Sequence, residues 1–85
     1  MKEYEVQFTK EALKDLKKLS PFHQKKAKQL ILNQIIPSPY SGKKLVGDLE
    51  GFYSIRLSFQ DRIVYSIDPK NSIIMIHRSR THYGD

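Results

Sequence analysis

Residues 51–68 read GFYSIRLSFQDRIVYSID, and they alternate with a period of two on either side of a short break. Tyr53, Ile55 and Leu57 alternate with Ser54, Arg56 and Ser58. Past the break, Ile63, Tyr65 and Ile67 alternate with Arg62, Val64 and Ser66. Alternation of this kind marks strands with one buried and one open face. A two-residue loop at Phe59-Gln60 sets Leu57 opposite Arg62 and mixes the faces. A three-residue loop, Phe59-Gln60-Asp61, sets Leu57 opposite Ile63, Ile55 opposite Tyr65 and Tyr53 opposite Ile67. It also gathers Arg56, Ser58 and Arg62 on the other face. A one-residue slip would bury arginines, so the second register is expected. The product is a hairpin with two guanidiniums side by side on an open sheet face.

The chain on either side supplies what this hairpin needs to pack against. Downstream, Pro69-Lys70-Asn71 makes a turn, and Ile73-Ile74-Met75-Ile76 is apolar in both parities, as in a central strand covered on both sides. Upstream, Tyr4, Val6 and Phe8 alternate as a short strand, and Thr9 follows as an N-cap. Residues 10–19 place Ala12, Leu13, Leu16 and Leu19 on one helical stripe. Ser20-Pro21 restarts a helix, with proline where its missing N–H costs nothing. Ala27, Leu30, Ile31 and Ile35 form its stripe, and Pro37-Ser38-Pro39 stops it. Lys25, Lys26 and Lys28 oppose the macrodipole near its start; a solvated face is the simplest account of them. Tyr40-Ser41-Gly42 continues the loop, and residues 43–50 lead into the hairpin. The order is β-α-α-β-β-β, an α+β fold with two N-terminal helices on one face of a small, mainly antiparallel sheet. The first strand is expected at a sheet edge, and residues 1–85 form a single domain.

Composition sets the outer limits. Eighty-five residues with 39% hydrophobic and 28% charged side chains suit a globular domain, which at this size buries only about 60% of its unfolded surface. The absence of cysteine removes disulfides and thiolate metal sites and fits a cytoplasmic protein. MKEYEVQF at the start resembles neither a signal peptide nor a membrane span, so no membrane partner is expected. A net charge of +6 and a pI near 9.7 point to a polyanion, either nucleic acid or an acidic protein.

No metal-ligand spacing, glycine-rich phosphate loop or nucleophile elbow is present, and His23, His77 and His82 are too scattered for a zinc set. Neither metal nor cofactor is therefore expected. What remains is a basic and aromatic constellation: Arg56 and Arg62 on the hairpin, Lys43 and Lys44 before it, and Arg78, Arg80, His82 and Tyr83 at the end. A phosphodiester suits such a group. Arginine forks stabilise a pentacoordinate phosphate, imidazole moves a proton near neutral pH, and tyrosine stacks on a base or donates a proton. Each member also has a plain structural account. Arg56 and Arg62 can simply keep a strand face soluble, His82 can belong to a frayed end, and Tyr83 can pack on a sheet edge. Asp48 and Glu50 suit turns better than base catalysis.

Gly51-Phe52-Tyr53-Ser54-Ile55-Arg56-Leu57, then Asp61-Arg62-Ile63-Val64-Tyr65, and finally His82-Tyr83, resemble the signature of the RelE/ParE superfamily of toxins. The Txe/YoeB branch is the nearest, and the run from Lys44 to Gly51 is similar to it as well. The resemblance implies a RelE-like fold and the toxin of a type II toxin–antitoxin pair. That toxin would cut mRNA in the A site of the 70S ribosome without a metal. The ribose 2′-hydroxyl would attack the adjacent phosphate, and the leaving 5′-oxygen would be protonated. It implies that Arg62 stabilises the charged phosphate, Arg56 orients it, His82 transfers a proton and Tyr83 contacts the substrate. Lys43, Lys44, Arg78 and Arg80 would bind the RNA, and a cognate antitoxin would be the protein partner. Two positions depart from the branch. Lys43 stands where relatives keep a glutamate, and Val46 stands where they keep a lysine. The usual carboxylate base is therefore missing, and His82 is the first candidate to replace it. Two alternatives stay open: a ParE-like inhibitor of DNA gyrase, and an inactive module that only binds an antitoxin.

Overall fold

The structure is a computed structural model and describes residues 3–59 and 61–78. It has the expected α+β order with one strand added. β1 (Glu5–Phe8) leads into α1 (Lys10–Lys18) and α2 (Pro21–Leu30); β2 (Lys43–Lys44), β3 (Phe52–Arg56), β4 (Arg62–Asp68) and β5 (Ile73–Arg78) follow. The sheet order is β1-β5-β4-β3-β2. β1 lies at one edge, parallel to β5, and every other pairing is antiparallel. The added strand is β2, in the stretch expected to be an entry loop.

Local chemistry explains the helices. The Thr9 hydroxyl accepts from the Ala12 N–H at 3.1 Å and starts α1, relieving one of the orphan donors of a helix start. Leu19 terminates α1 as its C-cap, one residue earlier than expected. Pro21 opens α2, and Gln24 in its first turns donates to the carbonyls of Leu16 and Leu19 at 2.9 and 3.1 Å. The end of α1 is thus closed by the start of α2, which fixes the helices as a hairpin. α2 then widens into a π-helical turn over Ile31–Ile35. That turn keeps both isoleucines in the core, at 6% and 0% exposure.

Both helices cover one face of the sheet. The core there holds Ala12, Leu19, Ala27 and Ile35 against Ile55, Leu57, Ile63, Tyr65, Ile74 and Ile76. Leu13, placed on the buried stripe from the sequence, is 47% exposed instead. It forms part of an apolar groove of about 440 Å3 between β1, α1 and α2, floored by Val6, Leu16 and Ile31 and rimmed by Lys17 and Lys28.

The central hairpin keeps the expected faces in a different register. Ile55 lies opposite Ile63 and Tyr53 opposite Tyr65, a shift of two residues from the three-residue loop. The connection runs from Leu57 to Asp61. Leu57 and Ser58 both donate backbone N–H bonds to the Asp61 carbonyl, at 2.9 and 3.1 Å. The Ser58 hydroxyl donates to the Asp61 carboxylate at 3.0 Å and accepts from the Asp61 N–H at 3.1 Å. These side-chain bonds favour the wider turn, and an even shift preserves the side-chain faces.

Candidate functional site

The even-numbered residues of β3 and β4 point away from the helices. The revised register sets Arg56 directly opposite Arg62. Since Leu57 bonds to Asp61, the next pair along is of the kind without mutual backbone bonds, with Cα atoms about 4.5 Å apart and side chains closest. Like charges directly opposite destabilise a sheet. Neither guanidinium has a carboxylate partner among the described residues. Asp61, beside Arg62 in sequence, is engaged with Ser58. Arg62 instead reaches along the face, its Nη1 3.4 Å from the Ser54 hydroxyl, which is 2% exposed.

Lys43 is held next to this pair by a chain of aromatic contacts. The Tyr65 hydroxyl, fully buried, donates to the Pro39 carbonyl at 2.6 Å and lies against Gly42. Tyr65 stacks on Tyr53 with ring centroids 5.8 Å apart, and Tyr53 meets Tyr40 edge-on at the same distance. Burial pushes the Tyr65 phenol up to about 12. Gly42 has to be glycine, because a Cβ there would collide with the Tyr65 hydroxyl. So anchored, β2 pairs Lys43 with Ser54 and Lys44 with Tyr53. Lys43 therefore shares the face of Arg56 and Arg62, whereas Lys44 turns to the helix side, where it lines a hollow with Tyr40 and Tyr53.

At the other side of the face, β5 carries a bulge against Val64 and Tyr65. Arg78 lies opposite Val64, which places it on the open face and exposed. The bulge also turns His77 onto that face. Its Nε2 lies 2.8 Å from the Ser66 hydroxyl, and its ring rests on Phe52 with centroids 4.6 Å apart. Burial pushes the His77 imidazole below its ordinary value. Neither Phe52 nor His77 was singled out for a role from the sequence. The even parity of Phe52 was available there, but the bulge that re-aims His77 has no sequence signal. Arg80, His82 and Tyr83 lie outside the described residues.

The structure thus brings together Arg56, Arg62, Lys43 and Arg78 of the sequence-derived residues, and separates Lys44 from them. A helix layer on one side and a cationic sheet face on the other define a small basic α+β domain suited to a polyanion. A family model for the ParE toxin of type II toxin–antitoxin systems, parDE, matches residues 6–82. A chain of the toxin–antitoxin complex RelBE2 from Mycobacterium tuberculosis is 30% identical, with 92% of this chain and 96% of that one covered at a TM-score of 0.82. The YoeB dimer from Staphylococcus aureus is also 30% identical, covering 94% and 98% at a TM-score of 0.78. The intact RelBE complex of Escherichia coli, at 20% identity, 92% and 95% coverage and a TM-score of 0.78, shows the shared fold. No curated protein sequence matches the chain. The chain belongs to the ParE toxin family of type II toxin–antitoxin systems, within the RelE/ParE superfamily.

Proposed function

We propose that this toxin is a ribosome-dependent mRNA endonuclease that acts in the ribosomal A site. The observation that carries this is the direct pairing of Arg56 with Arg62 on a face free of helices, with no carboxylate to neutralise them among the described residues. Like charges set directly opposite on paired strands repel and destabilise the sheet. A phosphodiester between them removes that repulsion and gains charge-assisted hydrogen bonds.

In the proposed reaction the 2′-hydroxyl loses its proton to a base and its oxygen bonds to the adjacent phosphorus. The bond from phosphorus to the 5′-oxygen breaks, that oxygen takes a proton, and a 2′,3′-cyclic phosphate remains. Arg62 stabilises the extra charge of the pentacoordinate phosphate, and Arg56 orients it. Guanidinium charge fills the role that a metal ion takes in other nucleases. Lys43 and Arg78 hold the flanking backbone on the same face. The proton transfers are assigned to the end of the chain, with His82 the candidate base and Tyr83 against the substrate.

The antitoxin is the second partner. The groove between β1, α1 and α2 has an apolar floor and lysine rims, which suits an amphipathic segment with acidic flanks. The family match to ParE keeps one other reading in play: inhibition of DNA gyrase without nuclease chemistry. Purified protein with ribosomes and a translated message tests the first reading. Wild type should cut, and Arg62→Ala should lose about 100-fold or more while remaining folded. An Arg62→Ala protein that cuts normally refutes the assignment, and loss of gyrase supercoiling in place of cutting selects the second reading.

A further inference from the structure

We propose that Phe52, His77 and Ser66 form a nucleobase subsite that seats the base next to the cut phosphate and sets the sequence preference of cleavage. The inference rests on the nuclease reading and adds a specificity element to the same face.

Spacing gives the first argument. Arg62 Nη1 lies at Ser54, and Ser54 is two residues along β3 from Phe52. Two strand residues span about 7 Å, close to the phosphate-to-phosphate step of an extended single strand. A phosphate held at Arg62 therefore leaves the neighbouring base above the Phe52 and His77 rings. Register gives the second, since Phe52 pairs directly with Ser66, and Ser66 with Met75 on β5. These side chains form one row across the open face, parallel to the row of cations.

Chemistry gives the third. Phe52 and His77 are the half-buried aromatic rings of a face whose other described residues are not aromatic. Bases splayed from a single strand stack on such rings, and their edges are read by hydrogen bonds. The His77 Nε2 is occupied by Ser66, which fixes the ring plane and leaves Nδ1 without a protein partner among the described residues. The backbone beneath is fixed too, because the Thr9 hydroxyl donates to the His77 carbonyl at 3.1 Å. A bulge that re-aims a side chain is a recurrent device beside functional sites. Low proton affinity from burial keeps the imidazole neutral, the form that stacks on and hydrogen-bonds a base without competing for phosphate.

Mapping the 5′ ends of messages cut in the presence of ribosomes tests this with three variants. Phe52→Leu and His77→Ala should each lower kcat/KM at preferred sites by about 10-fold or more, the cost of one lost base stack. His77→Phe keeps the ring and loses the nitrogens. It should cut at a near wild-type rate but spread its cuts over different flanking bases. Thermal melting identifies any variant that fails to fold, and His77→Phe together with Phe52→Leu decides the matter if His77→Ala is lost. Wild-type rates and unchanged cut sites in the folded variants overturn the subsite and leave the nuclease reading standing. If wild type does not cut at all, the His77 ring resonances are followed as a short single-stranded RNA is added. Shifts confined to His77 and Phe52 support the subsite without cleavage, and unmoved resonances overturn it.

Discussion

Replacing Gly42 by alanine should destabilise the fold, and removing the Tyr65 hydroxyl should relieve part of that cost. A Cβ at Gly42 would collide with the Tyr65 hydroxyl and lie 3.1 Å from the Ser54 carbonyl and 3.3 Å from Ile55 Cγ1. The phenol cannot swing aside freely, because its ring is fully buried and stacked on Tyr53. Overpacking of this kind costs about 1–3 kcal/mol. Tyr65→Phe leaves the Pro39 carbonyl without its partner, which also costs about 1–3 kcal/mol. In Gly42→Ala the ring must move and lose its bond to Pro39, so both single variants include that same loss. The double variant suffers it once and no longer has the hydroxyl in the way. It should therefore be more stable than the sum of the singles predicts by about 1 kcal/mol or more. It stays below wild type, since the Ser54 carbonyl is backbone and cannot retreat. Urea denaturation of the four proteins, followed by circular dichroism at constant slope, measures the coupling. Additivity within about 0.5 kcal/mol would show that Gly42 and Tyr65 do not meet, and the account of how β2 is anchored would fall with it.

The two lysines of β2 should behave oppositely. Lys43→Ala should weaken single-stranded RNA binding and reduce its salt slope by about 0.7, while Lys44→Ala, on the helix side, should change neither; equal effects in a salt titration would contradict the strand register. Tyrosinate absorbance should show Tyr65 ionising late, near 12, and Tyr65→Phe should remove that step. Because the folded value is raised, this group stabilises the fold fully below its ordinary value of 10.0 and loses that contribution between there and about 12. His77 has the reverse linkage. Its folded value lies below 6.5, so stability should decline as pH falls through 6.5 toward that lower value, and His77→Phe should flatten this part of the denaturation profile.

The fold was legible because its signals are local. Alternation in residues 51–68 identified both faces of β3 and β4, and Thr9, Ser20 and Pro21 marked the helix starts where they occur. The hairpin register was not legible, because Ser58 and Asp61 close a wider connection through side-chain bonds that a count of loop residues does not weigh. β2 was missed for a related reason. Two residues carry no periodicity, and what makes them a strand is Tyr65, whose hydroxyl reaches back to Pro39 and Gly42. The separation of Lys43 from Lys44 follows only once that strand exists. The arginine pair was visible from parity alone, whereas His77 depends on a bulge between β4 and β5 that no residue pattern announces.

The two faces of the sheet give inhibition a geometric requirement under the proposed function. The groove lies on the helix side at the β1 edge, and β1 is three strand spacings from β3, about 14 Å. A segment seated only in the groove would leave Arg56 and Arg62 open on the opposite face. The cationic face must then be blocked by a second stretch of the partner or altered through an element that both sites share. β5 is such an element. It pairs with β1 beneath the groove, and its bulge carries His77 and Arg78 on the open face. Thr9 joins the two directly, since its hydroxyl both caps α1 and donates to the His77 carbonyl. A partner that moves α1 therefore acts on the backbone of His77 through one hydrogen bond. Thr9→Val removes that bond and the cap together, whereas Thr9→Ser keeps the hydroxyl that makes both. If the path through β5 carries inhibition, antitoxin should inhibit Thr9→Ser well and Thr9→Val poorly at equal occupancy. Equal inhibition of both variants would require the partner to cover the arginines itself.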